Sequence, residues 1–166
     1  FDTVKSEVAT FFKVFPNGLL FSNDEHLEGY DAVLIGQADP APIDIDRIQS
    51  LLDRPDYDQV RASLADVGFG PSASYYVREP RDIAIDLLAT FAGQAPGLSG
   101  WTLNAQINRD RNLRLQYLAG MHVNSYIGTE ILQSLLTDYV FPENVFAGSP
   151  ERMDALKEAL AERGRR

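Results

Sequence analysis

The densest group of residues able to do chemistry is Asn108-Arg109-Asp110-Arg111-Asn112-Leu113-Arg114, where three arginines surround one aspartate. Guanidinium groups grip phosphate or carboxylate through paired N–H donors, so Arg109, Arg111 and Arg114 form a candidate anion site. The same residues also suit a structural loop, with Asp110 paired to Arg109, Arg111 or Arg114. In that reading the asparagines stand in for missing backbone partners. A second group is acidic: residues 23–58 hold ten Asp and Glu side chains against only Arg47 and Arg54. Such a surface attracts a polyamine or another cation, or it reflects capping and solvation, since Asp44 and Asp56 stand at helix starts. No two of these carboxylates have a spacing that marks them for general acid–base work.

Residue types exclude much else. The chain has no cysteine, which removes thiol catalysis, disulfides, zinc ribbons and iron–sulfur clusters. His26 and His122 lack ligand-like spacing, so no metal site is expected. No G-x-G-x-x-G, P-loop, G-x-S-x-G or H-E-x-x-H occurs, and Gly68-Phe69-Gly70 follows a helical pattern rather than a strand. A net charge of −9 argues against a nucleic-acid partner. Trp101 and the other aromatic residues read as core.

The elements that must position these groups follow from periodicity. The 166 residues, 45% hydrophobic and 23% charged, suffice for one folded domain with a real core. Val4, Val8, Phe11, Phe12 and Phe15 predict a helix over 3–15, stopped by Pro16-Asn17-Gly18. Residues 19–22 and 31–36 read as short buried strands flanking a polar loop, and Asp39 to Pro42 as a linker. Asp44 caps a helix burying Ile45, Ile48 and Leu52. Asp56 is expected to cap another, with Tyr57, Val60, Leu64 and Val67 inward and Gly68 as its stop. An irregular connection covers 69–80. A helix through Ile83, Leu87, Leu88 and Phe91 is expected to end at Gly93 to Gly97. Further helices bear Ile127, Ile131, Leu132 and Leu135, and then Met153, Leu156 and Leu160 after Ser149-Pro150-Glu151, with Gly164 as the final stop. The fold class expected is α/β, helix-rich, with a small sheet edge. No apolar run reaches the ~20 residues of a membrane span, and no signal peptide opens the chain. The start at Phe1 suggests a piece of a longer polypeptide.

Two stretches resemble a known family. Phe11-Phe12-Lys13-Val14-Phe15-Pro16-Asn17-Gly18-Leu19-Leu20-Phe21, followed by Asp31 to Gly36, is similar to the later part of spermidine-synthase-like domains. There a helix leads through a Tyr/Phe-Pro-x-Gly turn into a pair of edge strands. Ala105 to Tyr117 resembles the Asn-Thr-Asp-Asp-x-Pro-x-Leu-Glu-Tyr segment of bacterial members fused behind transmembrane helices. The similarity covers roughly residues 4–118.

The resemblance implies the C-terminal portion of a Rossmann-like, methyltransferase-type fold. Residues 1–36 would be its last helix and strand pair, and 37–166 a helical extension of the same domain. It implies a parent aminopropyltransferase of polyamine metabolism that uses decarboxylated S-adenosylmethionine and a diamine. The glycine-rich turn and catalytic aspartate of that family have no counterpart here, so the chain alone is expected to hold no cofactor and no catalytic residue. Phe15 and Pro16 occupy the turn that flanks the diamine pocket, Phe15 keeping the aromatic wall without a phenolic hydroxyl. Arg109 and Arg111 replace neutral or acidic residues of the commoner pattern. The implied location is the cytoplasmic side, with any membrane attachment through missing parent segments. Self-association through an exposed sheet edge is expected of such a fragment. A structural assembly module and a small anion-binding domain are the alternatives.

Overall fold

The computed structural model describes residues 1–25, 28–70, 82–121 and 127–163. The chain is mixed α/β and divides into two compact units that interleave along the sequence. One comprises 1–23, 28–40 and 92–140, the other 24–27, 41–91 and 141–166. This partition differs from a cut at residue 37, and the later part of the chain contributes strands as well as helices.

In the first unit, helix α1 (Asp2–Val14) buries Val8, Phe12 and Ser6 and packs on helix α5 (Arg114–Met121). Pro16 cannot continue the helix, and the chain reverses at Phe15 to Gly18, where the Gly18 N–H reaches the Phe15 carbonyl at 2.8 Å. Strand β1 (Leu19–Glu25) leaves that turn and β2 (Glu28–Ile35) follows, both longer than the apolar runs alone suggest. A third strand, β4 (Phe91–Gln94), completes a sheet of order β2-β1-β4. Helix α6 (Gly128–Leu136) packs on β2 and buries Leu132, Leu135 and Leu136. Alanine at Gly93 would place a Cβ 2.7 Å from Leu98, whose buried side chain fills that position.

In the second unit, β3 (Ile43–Asp44) runs parallel to β5 (Phe146–Ala147), pairing Ile43 with Phe146. Helix α2 (Ile45–Leu52) starts as expected: Asp44 accepts the Arg47 N–H at 2.9 Å. Helix α4 (Ile83–Leu88) and helix α7 (Pro150–Arg163) pack with α2 around Ile45, Ala84, Leu156 and Ala159. Gln49, buried on α2, accepts the Ala84 N–H at 3.1 Å and so satisfies a free donor at the start of α4.

Four expectations are corrected here. Residues 31–36, expected as a buried strand, leave Asp31, Ala32, Val33, Ile35 and Gly36 exposed, because β2 stands at the end of its sheet. The helix through Ile83 stops at Leu88, and Phe91 enters a strand instead. Helix α3 (Asp58–Asp66) follows a 3₁₀ turn at Pro55–Tyr57 and is not capped by Asp56, which pairs with Arg54 at 2.6 Å. Val60 and Val67 are exposed rather than inward. Gly68 does end α3, at a φ of 91°. The connection expected over 69–80 lies largely outside the described residues, as does Gly164. Among the described residues no helix is long and apolar enough to cross a membrane.

Candidate functional site

The arginine loop is built from α1 outward. Ser6, fully buried, donates its hydroxyl to the Gln106 carbonyl at 2.5 Å. One turn on, Thr10 donates to the Ser6 carbonyl and accepts the Asn108 N–H at 2.8 Å. Asn108 in turn accepts the Leu115 N–H at 2.9 Å, within the first turn of α5. Asn112 accepts from the N–H groups of Arg109 and Arg114, at 2.8 and 3.3 Å, and donates to the Ile107 carbonyl. The two asparagines thus close the loop on its own backbone. Leu113, which follows Asn112, has a φ of 44°, unusual for a bulky residue.

The arginines are left outward. Arg109, Asp110 and Arg111 are exposed, and Asp110 forms no ion pair among the described residues, so it does not tie the loop. Arg114 is half-buried, its guanidinium 5.7 Å from the Tyr117 ring and its Nε buried with no hydrogen-bond partner among the described residues. Asn112→Ala should therefore cost about 1–2 kcal/mol and Asp110→Ala under about 0.5 kcal/mol. Urea unfolding of both variants checks this; equal costs would return the tie to Asp110.

Phe15 and Pro16 lie at the other end of α1. Phe15 stacks 5.0 Å from Phe11, and a Cβ at Gly36 would lie 2.9 Å from the Phe15 ring. That ring therefore lies close against the backbone just after β2. Asn17 donates to the Ala38 carbonyl at 3.3 Å and ties the turn to the same segment. Pro16 is exposed. Among the described residues, no hydrogen bond, ion pair or ring contact joins Phe15 or Pro16 to Arg109, Arg111 or Arg114.

The second unit holds a polar cluster that spacing alone does not reveal. Asp46 on α2 accepts from the Ser149 hydroxyl at 2.9 Å, from the Ser149 N–H, and from Arg152 Nη1 at 2.6 Å. Arg152 Nε also donates to Asp82, the residue preceding α4. The Arg152 hydrogen bond, and then that of Ser149, hold the Asp46 carboxyl below its ordinary 3.8. Arg152 is correspondingly raised, chiefly by Asp46 and then by Asp82. Through these bonds the cluster joins α2 to the residue preceding α4 and to the start of α7.

Its linkage to pH has a definite sign. A depressed folded pKa contributes stability that is fully present above 3.8 and is lost as pH falls through the lower folded value. Urea midpoints should fall in that acid range, and less steeply in Asp46→Asn; identical profiles would count against the linkage.

Asp86 was also hidden, as a lone acid in the apolar run Ile83 to Leu88. It is fully buried and accepts the Gly70 N–H at 3.3 Å. The lone acid in an apolar stretch was the available signal, but its burial depends on neighbours far along the chain. Among the described residues, no three His, Asp or Glu side chains group as a metal site. Compared with family models, curated proteins and solved structures, the chain matches none.

Proposed function

We propose that the chain is the C-terminal portion of a spermidine-synthase-like domain with a Rossmann-like sheet, and that it has no aminopropyltransferase activity alone. The observation that supports this reading is the run α1, Phe-Pro-Asn-Gly turn, β1, β2, ending in a strand that occupies one edge of its sheet. That strand exposes Ala32, Val33 and Ile35. Exposed apolar side chains on a sheet edge suit a place where further strands join. In the parent, Phe15 would supply an aromatic wall beside a small amine, with Pro16 at its rim. Decarboxylated S-adenosylmethionine would be held by other segments, on the cytoplasmic side of any membrane to which they attach.

Two measurements test the reading. Incubation with putrescine and decarboxylated S-adenosylmethionine should yield no spermidine, and clear turnover would overturn it. Amides at the free edge of β2 should exchange rapidly with solvent. Strong protection there would mean that the edge is already covered and that no strand is missing.

A second reading, an anion site at Arg109, Arg111 and Arg114, is favoured by the buried Arg114 Nε that lacks a partner among the described residues. Phosphate should then raise the melting temperature of the chain, and Arg111→Ala should remove that rise.

A further inference from the structure

The arginine loop belongs to a surface whose chemistry is opposite to the rest of the chain. Between Ala95 and Gly128 the charged residues are Arg109, Asp110, Arg111 and Arg114, a local excess of cations in a chain of net charge −9. Beside them two large apolar side chains face solvent, Leu113 at 54% and Tyr117 at 61% exposure. They stand one helical turn apart, the Tyr117 N–H donating to the Leu113 carbonyl at 3.1 Å. The left-handed backbone at Leu113 keeps that side chain at the start of α5 and carries a conformational cost.

A complementary surface exists in the second unit. Helix α3 buries none of its residues. Only Arg61 and Leu64 on it are half-buried, and nine residues are too few for a helix to be stable alone in water, so a covering partner would stabilise it. Val60 and Val67 lie two turns apart, 44% and 67% exposed, with Ser63 between them and Asp66 beside them. Residues 53–66 carry Asp53, Asp56, Asp58 and Asp66 against Arg54 and Arg61, which pair with Asp56 and Asp58, so two carboxylates remain in excess. One surface is cationic and apolar, the other anionic and apolar.

We propose that the Arg109–Tyr117 surface of one copy docks on the α3 surface of a second copy. The arginines meet the carboxylates around α3 while Leu113 and Tyr117 cover Val60 and Val67. The proposal rests on the anion reading of the loop and names its anion as a carboxylate of the second copy. Two different surfaces meet, so the contact is head-to-tail and each copy of a pair keeps its other surface free.

Sedimentation velocity over a concentration series tests this. Association should appear at low salt and weaken roughly tenfold or more as ionic strength rises and screening shortens below the separation of exposed charges. Arg109→Glu/Arg111→Glu should abolish it, and so should Val60→Lys/Asp66→Lys. These side chains are exposed, and both variants should keep the native circular dichroism spectrum. Mixed together, the two variants should associate again, because each keeps intact the surface that the other has lost and the native contact re-forms between them. A monomer at all concentrations, or association indifferent to both variants, would overturn the docking. If phosphate still stabilised that monomer through Arg111, the anion reading would stand without it. Association abolished by Val33→Lys on β2 and by neither double variant would assign self-association to the sheet edge instead.

Discussion

Phe91→Ala should lower the free energy of unfolding by about 3–5 kcal/mol, the largest effect expected of a single truncation in this chain. The side chain is almost wholly buried and meets Phe146 edge-on, with centroids 5.2 Å apart and planes at 81°. Phe146 in turn contacts Phe141 at 5.9 Å. Removing the first ring deletes apolar contact and leaves a cavity beside Phe146. A domain of ordinary stability has about 5–15 kcal/mol in total, so the variant should be close to unfolding at body temperature. Phe91→Leu keeps most of the volume and should cost much less. Urea unfolding distinguishes the two, and a loss under about 1 kcal/mol for the alanine variant would contradict the packing described for Phe91.

Arg163→Met is expected to be the next most damaging change, at roughly 2–5 kcal/mol from two carbonyls left without their donor. Arg163 is buried near the end of α7, and its Nη1 donates to the carbonyls of Ala89 and Phe91 at 3.2 and 2.9 Å. Ala89 caps the C-terminus of α4, where carbonyls lack partners within the helix and a cation is favoured. Methionine keeps much of the bulk and removes the donors, which separates hydrogen bonding from packing. Arg163→Lys retains a charge and one donor group, and should lose less. If methionine were tolerated as well as lysine, the carbonyl contacts would not be what stabilises this end of α7.

The same physics explains which features could be read in advance. Helix starts at Asp44 and at Ser149-Pro150, the reversal at Pro16 and the stop at Gly68 all depend on nearest neighbours. A cap needs a side chain within three residues, and a proline acts on its own φ; such information is written locally. The loop at 108–114 was also legible as a constellation. The backbone role of its asparagines was legible too, and Asn108 and Asn112 form those bonds, whereas the pairing expected of Asp110 does not occur among the described residues. Asparagine has both donor and acceptor, so it can close a backbone loop that a carboxylate cannot.

Sequence by itself determined an acidic chain with no cysteine, a mixed α/β class, and where most helices begin. Tertiary structure decided that Phe91 joins a strand, that α3 turns Val60 and Val67 to solvent, and that Asp86 is buried. It also brought together Asp46 on α2, Asp82 just before α4, Ser149 just before α7 and Arg152 on α7. These outcomes depend on which distant surfaces meet. An apolar stripe of helical period shows that a face can be buried, but burial requires a partner surface, and the spacing within one segment carries no record of that partner.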